Sequence, residues 1–176
     1  ELMGGKIKVE TKVGSGTLFR IDLPVAFADA ADMVNGKSVE RHVLGLESGQ
    51  PEWRIMIVED NEESLLLLST LLVETGFELR EAENGSEAIS LFEQWQPHFI
   101  WMDMRMPVMD GYEATAKIRQ LPGGDSVKIA AVTASVFTEQ KKNILDAGCD
   151  ALVHKPFRSR EIFKVMAELL GVRYRY

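Results

Sequence analysis

Between Trp53 and Leu170 the chain alternates between two kinds of apolar pattern. Short, nearly continuous runs stand at Ile55-Met56-Ile57-Val58, Phe99-Ile100-Trp101-Met102, Ile129-Ala130-Ala131-Val132 and Ala151-Leu152-Val153. Runs of this length without polar interruption predict strands buried on both faces. Phe77-Glu78-Leu79-Arg80 alternates apolar with polar, as an edge strand does. Between the runs lie segments of helical period. Asn84 with Glu87 and Asp110 with Glu113 have the spacing of capping boxes. Gly76 and Gly148 stand where helices end, and Pro97 stops the second helix after Gln96. Strand and helix alternating five times predict a doubly wound α/β unit, residues 53–171, with a five-stranded parallel sheet and helices on both faces. Residues 172–176 read as a tail.

The first 25 residues follow another rule. Lys6-Ile7-Lys8-Val9-Glu10 and Thr17-Leu18-Phe19-Arg20-Ile21-Asp22-Leu23 each alternate, Gly14-Ser15-Gly16 supplies a turn, and Pro24 ends the pattern. A lone hairpin is marginal in water, so residues 1–25 read as the edge of a larger sheet. From Ala26 to Glu52 the periodicity fades among Gly36, Gly45, Gly49 and Pro51. This stretch reads as a linker with a short helix near Ala26–Val34.

Composition narrows the function. The 176 residues carry a net charge of −7 with no Lys/Arg-rich run, which argues against binding a nucleic-acid backbone. The single cysteine, Cys149, excludes an intrachain disulfide and suits a reducing compartment. Leu65–Val73 is too short to span a bilayer, and no basic-then-apolar leader opens the chain. The expectation is a cytoplasmic fragment with no membrane contact of its own, from a parent protein whose membrane anchor, where it has one, lies elsewhere.

Each central apolar run ends in polar residues that a strand does not need. They are Glu59-Asp60, Asp103, Thr133 and His154-Lys155. In a parallel sheet these ends share one edge, where such folds build ligand sites. Three carboxylates packed together repel, and a divalent cation relieves the conflict; an all-oxygen donor set favours Mg²⁺. The Lys155 ammonium and Thr133 hydroxyl suit the equatorial oxygens of a phosphoryl group, and a carboxylate among them can act as nucleophile.

Glu59-Asp60, the stretch Asp103-Met104-Arg105-Met106-Pro107-Val108-Met109-Asp110-Gly111, Thr133-Ala134 and Lys155-Pro156-Phe157 resemble the response-regulator receiver family in order and spacing. The resemblance implies a flavodoxin-like fold with strand order 2-1-3-4-5 and Asp103 as phosphoacceptor. It further implies Mg²⁺ held by Asp60 and Asp103, by Glu59 through water and by the Arg105 carbonyl. Thr133 then follows the phosphoryl group, Lys155 pairs with it, and Ala134 leaves it room. Leu2-Met3-Gly4-Gly5-Lys6-Ile7, Gly14-Ser15-Gly16-Thr17-Leu18-Phe19 and Leu23-Pro24 resemble the last hairpin of a histidine-kinase ATP-binding domain. Together the two resemblances imply a piece of a hybrid sensor kinase. Its partners are expected to be a histidine-kinase core, a histidine-phosphotransfer domain, or both. The kinase's phosphorylatable histidine and nucleotide boxes are not in this sequence, so it is not expected to bind ATP.

Three other readings fit less well. An aspartate-nucleophile phosphatase wants a second Asp where Arg105 stands. A pseudo-receiver interaction module usually lacks the acceptor or the lysine, and both are present. A flavodoxin-like cofactor binder wants a phosphate loop where Asp60-Asn61-Glu62-Glu63 stands. His42, His98 and His154 have no ligand or triad spacing, and Met102, Met104, Met106 and Met109 read as packing and loop residues. The Lys155-Pro156 bond is expected to be cis, aiming Lys155 into the pocket. Leu152 holds a position that is aromatic in many receivers, which implies activation through a small shift of the Thr133–Phe137 loop rather than a ring flip.

Overall fold

The computed structural model describes residues 5–12, 14, 16–24, 42–134 and 138–176. Ser15 of the first turn, the helix expected near Ala26–Val34 and the last residues of the Thr133–Phe137 loop lie outside them. Two compact units divide at Glu40 and Arg41.

The first unit contains an antiparallel hairpin, β1 (Lys6–Lys12) and β2 (Gly16–Asp22), in the register Ile7 to Ile21 and Val9 to Phe19. That pairing gathers Ile7, Val9, Phe19 and Ile21 on one face, all of them at least half exposed. Lys6, Lys8, Arg20 and Asp22 occupy the other face by the strand's period of two.

The second unit is the doubly wound sheet. Its strands are β4 (Arg54–Val58), β5 (Glu78–Ala82), β6 (Phe99–Asp103), β7 (Lys128–Thr133) and β8 (Ala151–His154). They are all parallel, in the spatial order β5-β4-β6-β7-β8. Numbered within this sheet, that is the expected 2-1-3-4-5. Side chains alternate between two cores. Ile55, Ile57, Phe99, Trp101, Val132 and Val153 pack with Leu68, Leu72, Ile162 and Met166 on one face. Met56, Val58, Ile100, Met102 and Ala131 pack with Ala88, Phe92, Ala114 and Ile118 on the other. Both faces are covered, which is why the strand sequences lack polar alternation.

The helices follow from local signals. In α1 (Glu62–Thr75) the Asn61 side chain accepts the Ser64 N–H, and Gly76 closes the end at φ 105°. In α2 (Gly85–Trp95) Asn84 accepts from Ser86 and Glu87, and Gln96 ends it before Pro97. In α3 (Gly111–Ile118) Asp110 accepts from Glu113. Helix α4 spans Thr138–Asp146, and α5 (Ser159–Leu170) ends at Gly171 in the left-handed region.

The sheet unit is wider than the apolar pattern predicts. Part of the stretch read as linker and part of the tail are ordered together as β3 (Gly45–Leu46) and β9 (Tyr174–Arg175), an antiparallel pair. Gln50 reinforces it: its amide donates to Arg173 O at 2.8 Å, and its Oε1 accepts the Arg173 N–H at 2.8 Å. Val172 and Tyr174 are buried, with Tyr174 against the rings of Phe77 and Phe163. Two-residue strands have no periodicity to read, so burial by distant aromatic residues decides them.

Candidate functional site

Asp103 is the last residue of β6, Thr133 the last of β7, Glu59 the first after β4, and Lys155 the first after β8. All lie at the carboxyl ends of the strands. One oxygen from each of Glu59, Asp60 and Asp103 lies within 4.8 Å of the others. Glu59 and Asp103 are buried, whereas Asp60 is exposed at the mouth.

Lys155 binds the cluster together. Its Nζ donates to Glu59 Oε2 at 2.5 Å and to Asp103 Oδ2 at 2.7 Å. Its backbone N–H donates to Thr133 O at 2.8 Å, and the Lys155–Pro156 bond is cis, as expected. Burial tends to lower the lysine, but its two carboxylate hydrogen bonds and their charges outweigh that and raise it. Burial raises the Glu59 carboxyl, and the Asp103 charge adds to this against the opposing pull of Lys155. One ammonium therefore incompletely compensates the buried acids.

The loop after β6 is shaped around Asp103. The Arg105 N–H donates to Asp103 Oδ1 at 2.8 Å, while the Arg105 side chain is exposed on the rim. Gly111 starts α3 hard against the strand end: a Cβ there would sit 2.2 Å from the Asp103 carbonyl oxygen. Sequence reasoning overlooked Asn61. Its backbone N–H donates to Glu59 Oε1 at 3.3 Å while its side chain caps α1. An asparagine just before two glutamates is the signal that identifies it.

The remaining candidates lie elsewhere. His42 and His154 are exposed. His98 stands at the opposite sheet edge, where its Nδ1 accepts the Arg54 N–H at 3.0 Å and its ring meets Trp53 edge-on. Met102 and Met104 are core residues, and Met106 and Met109 pack against the same core.

Comparison with known proteins agrees with this geometry. The family model of the response regulator receiver domain matches residues 55–167. The sensor protein GacS of Pseudomonas syringae pv. syringae is 34% identical over 125 residues, 69% of this chain but only 14% of that protein. The receiver domain of sensor histidine kinase PA1611 from Pseudomonas aeruginosa PAO1, solved with magnesium in its active-site cleft, superposes with a TM-score of 0.65. It is 31% identical and covers 69% of this chain and 99% of its own. The Saccharomyces cerevisiae receiver domain of Ssk1, solved with the histidine-phosphotransfer protein Ypd1, gives 0.62 at 29% identity, covering 68% and 89%. With its five-stranded parallel sheet and acidic pocket, this chain belongs to the response regulator receiver domain family of two-component signalling.

Proposed function

We propose that Asp103 accepts a phosphoryl group from a phosphohistidine and holds it as an acyl phosphate. The supporting observation is the convergence of Glu59, Asp60 and Asp103 around one lysine at the strand ends. An Asp103 carboxylate oxygen attacks phosphorus, the P–N bond breaks, and the imidazole nitrogen keeps its electron pair. Lys155 and the Thr133 hydroxyl then stabilise oxygens of the group in transfer.

The pocket fits Mg²⁺. Its donors are all hard oxygens, and its acids exceed its ammonium charge. Asp60 and Asp103 would hold the ion directly, Glu59 through water, and Arg105 through its carbonyl. When bound, the ion offsets negative charge on the acids and the phosphoryl oxygens. Lys155 keeps its bridge between Glu59 and Asp103 short enough to orient the acceptor.

The phosphodonor or recipient is a histidine-phosphotransfer domain, a histidine-kinase core, or both. Exposed Leu66 and Leu67 in the first half of α1, and Val108 in the loop after Asp103, support docking around this mouth. Ssk1, whose receiver domain was solved with such a partner, has the same fold. We read residues 1–25 as the closing hairpin of a kinase ATP-binding domain, joined by a linker to the receiver within a hybrid sensor kinase. The similarity to GacS supports that layout. Among the described residues no helix is long and apolar enough to cross a membrane. Work in the cytoplasm fits the reducing conditions a lone buried thiol suits.

Incubation with a small phosphodonor and Mg²⁺, followed by intact mass and peptide mapping, tests the assignment. One phosphoryl group on Asp103, and none on Asp103→Asn, is the expected result. Labelling of the variant at the same peptide would overturn it.

A further inference from the structure

The loop from Met104 to Asp110 carries Arg105 and Val108 and leads from the acceptor into α3. It is held at several points, three of which bear on Asp103 and α2. Asp103 Oδ1 accepts the Arg105 N–H, and Gly111 packs on the Asp103 carbonyl. The third comes from another element: the Gly85 N–H, at the start of α2, donates to Met109 O at 3.0 Å. Gly85 is buried and has no room for a side chain. A Cβ there would lie 2.8 Å from Met109 Cγ, 2.8 Å from Ala114 Cβ and 2.9 Å from Met109 O. Real Cβ atoms do not approach so closely, and two of those three atoms belong to the loop itself.

We infer that Gly85 is a positioning residue for the acceptor pocket: its bare α-carbon seats α2 on Met109 and thereby sets where the Arg105 carbonyl lies. This rests on the Mg²⁺ reading above. The path is short: Met109 is four residues along the backbone from Arg105, and the Arg105 N–H donates a hydrogen bond to the Asp103 carboxylate at 2.8 Å. A methyl group at Gly85 displaces Met109, and the displacement runs back along a loop already held at Asp103. Phe92 and Ala88 bury the same helix deep in the core, so α2 cannot retreat to make room.

The coupling works in both directions, so metal binding must be felt at Gly85. In the unaltered protein, a Mg²⁺ titration followed by ¹⁵N amide shifts should move the Gly85 signal with the same dissociation constant as Asp60 and Asp103. Gly124 serves as the control, since its Cβ would also clash, 2.0 Å from Ile118 O, but at the opposite sheet edge. Gly85→Ala should bind Mg²⁺ about tenfold more weakly, and Gly124→Ala within about twofold of the parent, whatever each does to stability. A silent Gly85 amide, or Gly85→Ala with parental affinity, overturns the inference while leaving the metal site intact. Silence at Asp60 and Asp103 as well would instead remove the metal reading on which it rests.

Discussion

Val108 holds φ at 69°, and its side chain is 86% exposed. A β-branched residue in the left-handed region costs about 1–2 kcal/mol, and here no burial offsets that. Val108→Gly should therefore stabilise the fold by about 0.5–1 kcal/mol in urea denaturation, after allowing for glycine's greater freedom when unfolded. A less stable variant would mean that the isopropyl group packs on something. Nothing in the sequence marks this position, because a backbone angle leaves no trace in an apolar pattern. The pocket residues were legible for the opposite reason. Glu59, Asp103 and Thr133 are each a polar residue closing a run that buries everything before it. What could not be read was that Lys155 bridges two of the acids. That depends on which side chains the strand ends bring within reach of its ammonium, not on residue type.

At the scale of elements, β4 and β6 are joined at their amino ends by a histidine. His98 donates its N–H to Arg54 O and accepts the Arg54 N–H on Nδ1, which requires a neutral ring. Burial lowers the His98 pKa, and the Arg54 charge lowers it further. With the folded value below the unfolded one of about 6.5, the unfolded chain binds the proton first. This stability is present above about pH 6.5 and is lost as the pH falls through the folded pKa. Between pH 7.5 and 5.5 the parent should lose more thermal stability than His98→Asn, whose amide oxygen can accept the same bond without titrating. Equal losses would assign the pH effect to other groups. Sequence spacing gives His98 no ligand or triad partner, and its bond to Arg54 was not visible there.

The β3 and β9 pair teaches a complementary lesson. The helices α1 and α5 run opposite to the strands and end at Gly76 and Gly171, so this pair lies at the sheet edge away from the acids. Val172 and Tyr174 together bury enough apolar surface to contribute about 3–5 kcal/mol. Removing residues 172–176 should lower the urea midpoint accordingly and leave Mg²⁺ affinity unchanged. A change in that affinity would show the two edges to be coupled.

For the whole molecule, Mg²⁺ should stabilise the parent in proportion to occupancy, by about 2.7 kcal/mol at a hundred times the dissociation constant. Asp60 is exposed at the mouth, so Asp60→Ala should abolish this increment with little effect on stability without metal. Differential scanning calorimetry with and without the ion decides it. A persistent increment would place the metal elsewhere. Leu152 is half-buried beside Val165 and Lys164, in a groove between β8 and α5. It has no ring to sweep that surface. Beryllofluoride with Mg²⁺ should therefore shift amides strongly around Asp103 and weakly along β8. Comparable shifts in both places would restore a larger rearrangement.

The pairing of Gly45–Leu46 with Tyr174–Arg175 places two segments far apart in sequence side by side at one edge of the sheet unit. Antiparallel neighbours lie about 5 Å apart. A host protein could thus splice this unit into one of its surface loops and see almost no change in the spacing of its own backbone. Equally, residues 42 and 176 could be joined by a few glycines and new ends opened between the exposed Pro122 and Gly123. Such a rearranged chain keeps every strand neighbour and the whole acidic pocket. The unit carries its acidic pocket on one edge and the paired β3 and β9 segments on the other, so it can be moved between architectures without disturbing the pocket.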